Sequence, residues 1–154
     1  LKIKTAHLGE IEADESRIIE IRGGILGFED QTRFIMIDDN ESTPFMWLQS
    51  LDREATAFIV INPFLVVPRY APEISDNDGR SLELNDPAQA MVIAIATLRR
   101  NPFRISVNLR APLIINPAKR IARQIVLEDA QWQIQHFIGE GGGEGENSAA
   151  PTAD

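Results

Sequence analysis

The sequence predicts a mostly β domain, built as a sheet closed on itself or as a two-sheet sandwich. Three observations carry this reading. Short runs rich in Ile, Val and Phe recur along the chain, each bounded by Gly, Pro, Asn or Asp. Residues 45–50 set Phe45, Trp47 and Gln49 against Met46, Leu48 and Ser50, an alternation that places successive side chains on opposite sheet faces. Asn108 to Pro117 packs two Pro and two Asn around an apolar run. Each Pro removes a ladder donor and restricts the residue before it, so this stretch reads as a constrained corner between strands.

Taken in order, Lys2–Thr5 and Gly9–Glu12 form a first hairpin, and Arg17–Ile21 a β-branched strand broken by Gly23-Gly24. Arg33–Asp38 is a strand closed by Asp39-Asn40. Phe45–Ser50 and Ala57–Asn62 follow, the second apolar enough to be buried. Pro63, Pro68 and Pro72 make the next stretch irregular although Phe64 to Val67 and Tyr70 keep it apolar, and Ser75–Ser81 is polar and turn-like. Asp86-Pro87 is an N-cap followed by Pro at the first helical position, which predicts one short helical turn. Met91–Leu98, Phe103–Asn108, Leu113–Ile115, Ile121–Leu127 and Trp132–Phe137 complete the strands. Pro117–Arg123 is the second place where a helical turn fits. Residues 1–138 read as a single domain. Residues 139–154 hold Gly, Glu, Ser, Ala, Pro and Thr without apolar periodicity, and a disordered acidic tail is expected there.

Apolar residues make up 44% of the chain, enough for a core, and with no Cys there is no disulfide framework. No run of about 18 apolar residues is present, and Leu1–Thr5 has no signal-peptide apolar core. A soluble cytoplasmic protein is the simplest expectation. The net charge of −8 is unevenly spread. Residues 1–98 hold 8 basic and 17 acidic side chains, residues 99–123 hold 7 basic and none acidic, and residues 124–154 hold 6 acidic and none basic. An acidic body of this kind repels nucleic acid and attracts basic partners.

Catalytic motifs are missing. The two His and absent Cys give no metal-ligand spacing. Asp76-Asn77-Asp78-Gly79 fails as a calcium loop, because aligning Gly79 puts Ile74 and Asn85 at the first and twelfth ligand positions. The Gly-rich tail is no phosphate loop, and no nucleophile elbow occurs. No cofactor is expected. An enzyme pairing two carboxylates in a small barrel is one alternative. A direct RNA binder through Arg99–Arg123 is another, with Phe103 as that segment's one aromatic. The remaining signal is exposed apolar loops, Gly24–Phe28 and Pro63–Pro68. Phe28 and Phe64 are read either as contact residues or as plugs at the ends of a barrel.

Five blocks in order carry a resemblance: Gly9-Glu10-Ile11, Gly24-Ile25-Leu26-Gly27-Phe28-Glu29, Pro44 to Ser50, Ala57 to Phe64 with Pro68 and Tyr70, and Asn108 to Asn116 followed by Gln124 to Leu127. From about Lys2 to Ile138 the chain resembles the FliW family of bacterial flagellar assembly factors. It departs from the family at Asn62, where an acidic residue often stands, and in its longer Gly/Glu tail. The resemblance implies a small, distorted, mostly antiparallel β-barrel, monomeric and cytoplasmic, with no catalytic activity. It also implies two partners. One is flagellin, bound through its C-terminal region before export. The other is the translational regulator CsrA, bound when flagellin is absent, which relieves repression of flagellin synthesis. Contact residues expected on this reading are Phe28, Phe45, Trp47, Asn62, Pro63, Phe64, Tyr70 and Asn108. Arg110 is a further surface candidate, and the acidic loop Glu73, Asp76 and Asp78 would face the basic regulator. The Asn and Pro of the 108–117 corner are read chiefly as shaping the barrel.

Overall fold

The structure, a computed structural model, describes residues 1–38 and 43–138. Among these, eleven strands alternate with short helical segments. They are β1 (Lys2–Lys4), β2 (Glu10–Glu12), β3 (Ile18–Ile21), β4 (Arg33–Ile37), β5 (Met46–Ser50), β6 (Ala57–Ile61), β7 (Met91–Arg99), β8 (Arg104–Val107), β9 (Leu113–Asn116), β10 (Ile121–Gln124) and β11 (His136–Ile138). The helix α1 spans Asp76–Ser81, and one-turn 3-10 helices occupy Glu15–Arg17, Pro63–Leu65 and Pro87–Gln89. The one at Pro87 begins with the Asp86 cap that the sequence predicts, its carboxylate accepting from Ala88 N at 3.0 Å.

The strands close into a barrel. Neighbours run β7-β6-β5-β4-β3-β10-β9, and β9 pairs back onto β7, so seven strands complete the ring. All these pairings are antiparallel except β3 with β10. Long β7 makes closure possible because it is shared along one edge. Its first residues, Met91–Ile93, pair with β9, and its last, Ala96–Arg99, pair with β8. Strand β11 adds outside β8, and the β1–β2 hairpin forms a separate two-stranded sheet whose loop rests on β5 through His7 and Trp47.

The apolar residues sort into two layers by strand parity. Ile21, Phe34, Leu48, Val60, Ile93, Leu113 and Ala122, one from each barrel strand, meet in the interior. A second core lies on the outer face of β6, β7, β9 and β10, where Ile61, Ala94, Ala96, Ile114 and Ile121 are covered by Phe45, Val67, Tyr70, Leu82, Leu127 and Trp132. Because β6 and the first part of β7 are apolar on both faces, Ala57–Ile61 and residues 91–96 read in sequence as unbroken apolar runs. Burying each large side chain contributes about 1.5–3 kcal/mol.

Several local expectations are corrected. Ser75–Ser81, read as a turn, is helix α1 from Asp76 on. Its Asp, Asn and Gly are poor helix formers. However, Ser75 Oγ accepts from Asp78 N at 3.0 Å, Asp76 and Asp78 favour the first turn, and fully buried Leu82 anchors the end. Pro117–Arg120 is a tight turn closed by Arg120 N to Asn116 O at 2.8 Å, and no helix forms there. β10 stops at Gln124, since Ile125 N and Leu127 N turn to the carbonyls of Pro112 and Arg110. Trp132 is in the second core within a loop, and β11 starts only at His136. The closing turn at Asp39-Asn40 and the disordered tail expected at 139–154 lie outside the described residues.

Candidate functional site

The corner at Asn108 has a specific form. Val107 pairs with Ala96 and Leu113 with Ile93 on the same edge of β7. Between the paired positions the chain advances six residues beside three of β7, so Asn108–Pro112 is a large bulge between β8 and β9. Its backbone is satisfied from all sides. Asn108 Oδ1 accepts from Arg110 N at 3.1 Å and Ala111 N at 3.0 Å. Gln133 O accepts from Leu109 N and Arg110 N, and Pro112 O accepts from Ile125 N. The Leu109 carbonyl accepts from the Tyr70 hydroxyl at 2.6 Å. Burial pushes that phenol well above its usual range, so Tyr70 remains a donor.

Tyr70 joins the bulge to a surface groove of about 410 Å³, lined by Phe64, Tyr70, Pro72, Ile74, Ala88 and Val92 among others. Asn62 Oδ1 accepts from Phe64 N at 2.9 Å and starts the 3-10 turn that presents Phe64, while Pro63 is buried beneath it. Phe64 is 39% exposed, and its ring tilts toward Tyr70 at 5.7 Å between centroids. Tyr70 in turn meets Trp132 edge-on at 4.8 Å. Leu65, next to Phe64 in the same turn and 62% exposed, extends the apolar surface. Glu73 lies between the lining residues Pro72 and Ile74, and Asp76 and Asp78 follow in α1. Glu73 and Asp76 are exposed and Asp78 is half-buried. The site is thus an apolar cleft beside a segment rich in carboxylates. Such a cleft can seat an apolar or amphipathic peptide segment carrying basic residues.

The residues singled out from sequence fall into three places. Phe64 and Tyr70 line the groove, Asn62 and Pro63 belong to the turn that carries Phe64, Glu73 lies between two lining residues with Asp76 and Asp78 following in α1, and Asn108 and Arg110 belong to the bulge that Tyr70 reaches. Asn108 and Arg110 are half-buried, and the Arg110 Nε is buried with no hydrogen-bond partner among the described residues. Phe45 is buried in the second core. Phe28 and Trp47 lie elsewhere. Phe28, 38% exposed, sits edge-on to Phe58 at 5.0 Å, and half-buried Trp47 stacks on His7 at 4.2 Å. Sequence reasoning missed Pro72, Ile74, Ala88 and Val92. Nothing in their local pattern distinguishes them, because the covering segment 62–90 makes them neighbours only after it folds over β7. The basic segment 99–123 is dispersed. Lys119 pairs with Glu83 at 3.6 Å, Arg120 donates to the Glu15 carbonyl at 3.2 Å, and Arg99, Arg100 and Arg104 lie at the far end of β7 and β8.

The comparisons agree with this architecture. The family model described as FliW protein matches residues 2–138. A flagellar assembly factor FliW of Syntrophus aciditrophicus is 45% identical over 138 residues, covering 90% of this chain and 87% of that protein. The protein of that name from Ruminiclostridium cellulolyticum is 39% identical, with 88% and 93% covered. A solved structure described as the crystal structure of the flagellar assembly factor FliW superposes with a TM-score of 0.80 at 32% identity, covering 88% of this chain and 95% of that one.

Proposed function

Because the chain belongs to the FliW family of flagellar assembly factors, we propose that it acts without catalysis by switching between two protein partners in the cytoplasm. It binds the C-terminal region of newly made flagellin. When flagellin is exported and the factor is free, it binds CsrA and relieves repression of flagellin translation. The observation that carries the reading is the groove of Phe64, Tyr70, Pro72 and Ile74, an exposed apolar cleft with carboxylates beside it. An apolar strip of flagellin fits the cleft by burial of both surfaces. The acidic segment suits a regulator that must be basic where it grips RNA phosphates. Docked nearby, Glu73, Asp76 and Asp78 disfavour RNA through like-charge repulsion without occupying its site.

Two experiments test this. Pull-down from a lysate of a flagellated host is expected to recover flagellin and CsrA, and recovery of neither would refute the proposal. Reversing the charges of Glu73, Asp76 and Asp78 to Lys is expected to weaken antagonism of CsrA, most at low salt, since exposed charges are screened within about 10 Å at 0.1 M ionic strength. Unchanged antagonism across salt concentrations would remove this acidic segment as its source.

A further inference from the structure

The first hairpin leaves one strand edge open. Strand β1 pairs with β2 alone, and the bonds Thr5 N to Gly9 O and Ala13 N to Leu1 O set which residues bond across it. In an antiparallel ladder, hydrogen-bonded pairs alternate with non-bonded ones. Ile3 therefore exchanges bonds with Ile11, while the N–H and C=O of Lys2 and Lys4 point away from β2. Neither residue's backbone has another hydrogen-bond partner among the described residues. The next group on this edge, Ala6 N, donates to Gln49 Oε1 at 2.9 Å, so the edge is turned toward β5. Gln49 is itself fixed, its Nε2 donating to the carbonyls of Ser50, Glu54 and Thr56. Beside this edge lies a slot of about 400 Å³, lined by Lys2, Lys4, Arg33, Ser50, Leu51 and Glu54 among others.

We propose that this slot takes an extended acidic peptide segment of a protein partner, which adds to β1 as a third strand. In strand addition the main-chain bonds give affinity and the side chains give specificity. Here the charges choose the occupant. Lys2, Lys4 and Arg33 are exposed, and none forms an ion pair within 4 Å among the described residues. Glu10 and Glu54 are the acids of the lining, so cations are in excess there. Lysines on a short edge strand also discourage self-pairing. A second copy of β1 laid antiparallel about Ile3 would set Lys2 against Lys4, and like charges directly opposite repel. Acidic side chains in the same positions attract. The slot and the Phe64 groove share no lining residue, so this surface is separate from the one proposed above.

Amide NMR of the full chain tests this with an acetylated, amidated heptapeptide of alternating Val and Glu. The peptide is expected to shift the Lys2 and Lys4 amides and protect them from exchange, to shift Arg33, Leu51 and Glu54, and to leave Phe64 and Tyr70 unmoved. N-methylation at its Glu residues blocks one peptide edge and N-methylation at its Val residues the other, and one of the two forms is expected to lose binding. Lys4→Pro removes a donor that β2 does not use and is expected to weaken binding about tenfold, whereas Lys4→Gln, which keeps that donor, is expected to weaken it about threefold. A peptide with Lys in place of Glu is expected not to bind. Lys2 and Lys4 amides that ignore the acidic peptide would overturn the proposal. So would equal binding of both N-methylated forms, or equal affinity for the Lys peptide. Protection of these amides that grows with protein concentration in the absence of peptide would assign the edge to a second copy and equally overturn it.

Discussion

At the scale of single residues, Tyr70 connects packing to the candidate site. It is 3% exposed, lies between Phe64 and Trp132, and donates to the Leu109 carbonyl inside the bulge. Tyr70→Phe keeps the ring and removes the hydroxyl, leaving a buried carbonyl without its donor. A loss of about 1–3 kcal/mol in urea unfolding is expected. The pH dependence follows from the same burial. The phenol's pKa is raised in the folded state, so above the unfolded value of about 10 the folded chain holds a proton that the unfolded chain releases. Stability contributed by the neutral phenol is complete below about pH 10 and falls as pH rises past it. Tyr70 is the chain's one tyrosine. Its tyrosinate absorbance therefore reports without overlap, and its onset is expected to coincide with loss of structure rather than to precede it. Tyr70 was legible in sequence as an apolar-loop aromatic. Its role as a buried strut was not, because its partner Leu109 is thirty-nine residues away.

At the scale of elements, the segment from Asn108 to Asn116 shows how costly residues specify geometry. The sequence marks it as a corner, and the structure makes it a three-residue excess that lets one edge of β7 serve both β8 and β9. Its two Asn do different work. Asn108 closes the bulge from within through Arg110 N and Ala111 N. Asn116, 5% exposed, donates to the Leu82 and Glu83 carbonyls and accepts from Ala118 N and Lys119 N, so it ties the β9–β10 turn to the residues that end α1. Asn116→Ala is expected to destabilise by about 2–4 kcal/mol, more than Asn108→Ala, because it also strands the carbonyl of fully buried Leu82. Equal effects in denaturant melts would show that the turn tie is dispensable. The strands of the barrel were legible because their Ile, Val and Phe runs repeat with turn punctuation. Helix α1 was not, because Asp76-Asn77-Asp78-Gly79 carries turn chemistry and its helical state depends on the Ser75 cap and on Leu82 reaching the second core.

At the scale of the whole molecule, the two apolar layers divide labour. The barrel interior, fed by all seven strands, sets the frame, and the outer core holds segment 62–90 against β7 and thereby builds the groove. This is why the fold was accessible from pattern while the site was only half accessible. Pro63 to Pro68 announces itself as an apolar loop, whereas Ala88 and Val92 join it only through the tertiary wrap. It also separates Phe64 from the frame, since its ring is 39% exposed and rests on Tyr70 rather than inside the barrel. Calorimetric titration of the flagellin C-terminal region into the wild-type chain and into Phe64→Ala tests the account most directly. Binding by the wild type is expected, with a loss of about 2 kcal/mol or more in the variant and a thermal midpoint nearly unchanged. No binding by the wild type, or equal affinity in a folded Phe64→Ala, would contradict the account.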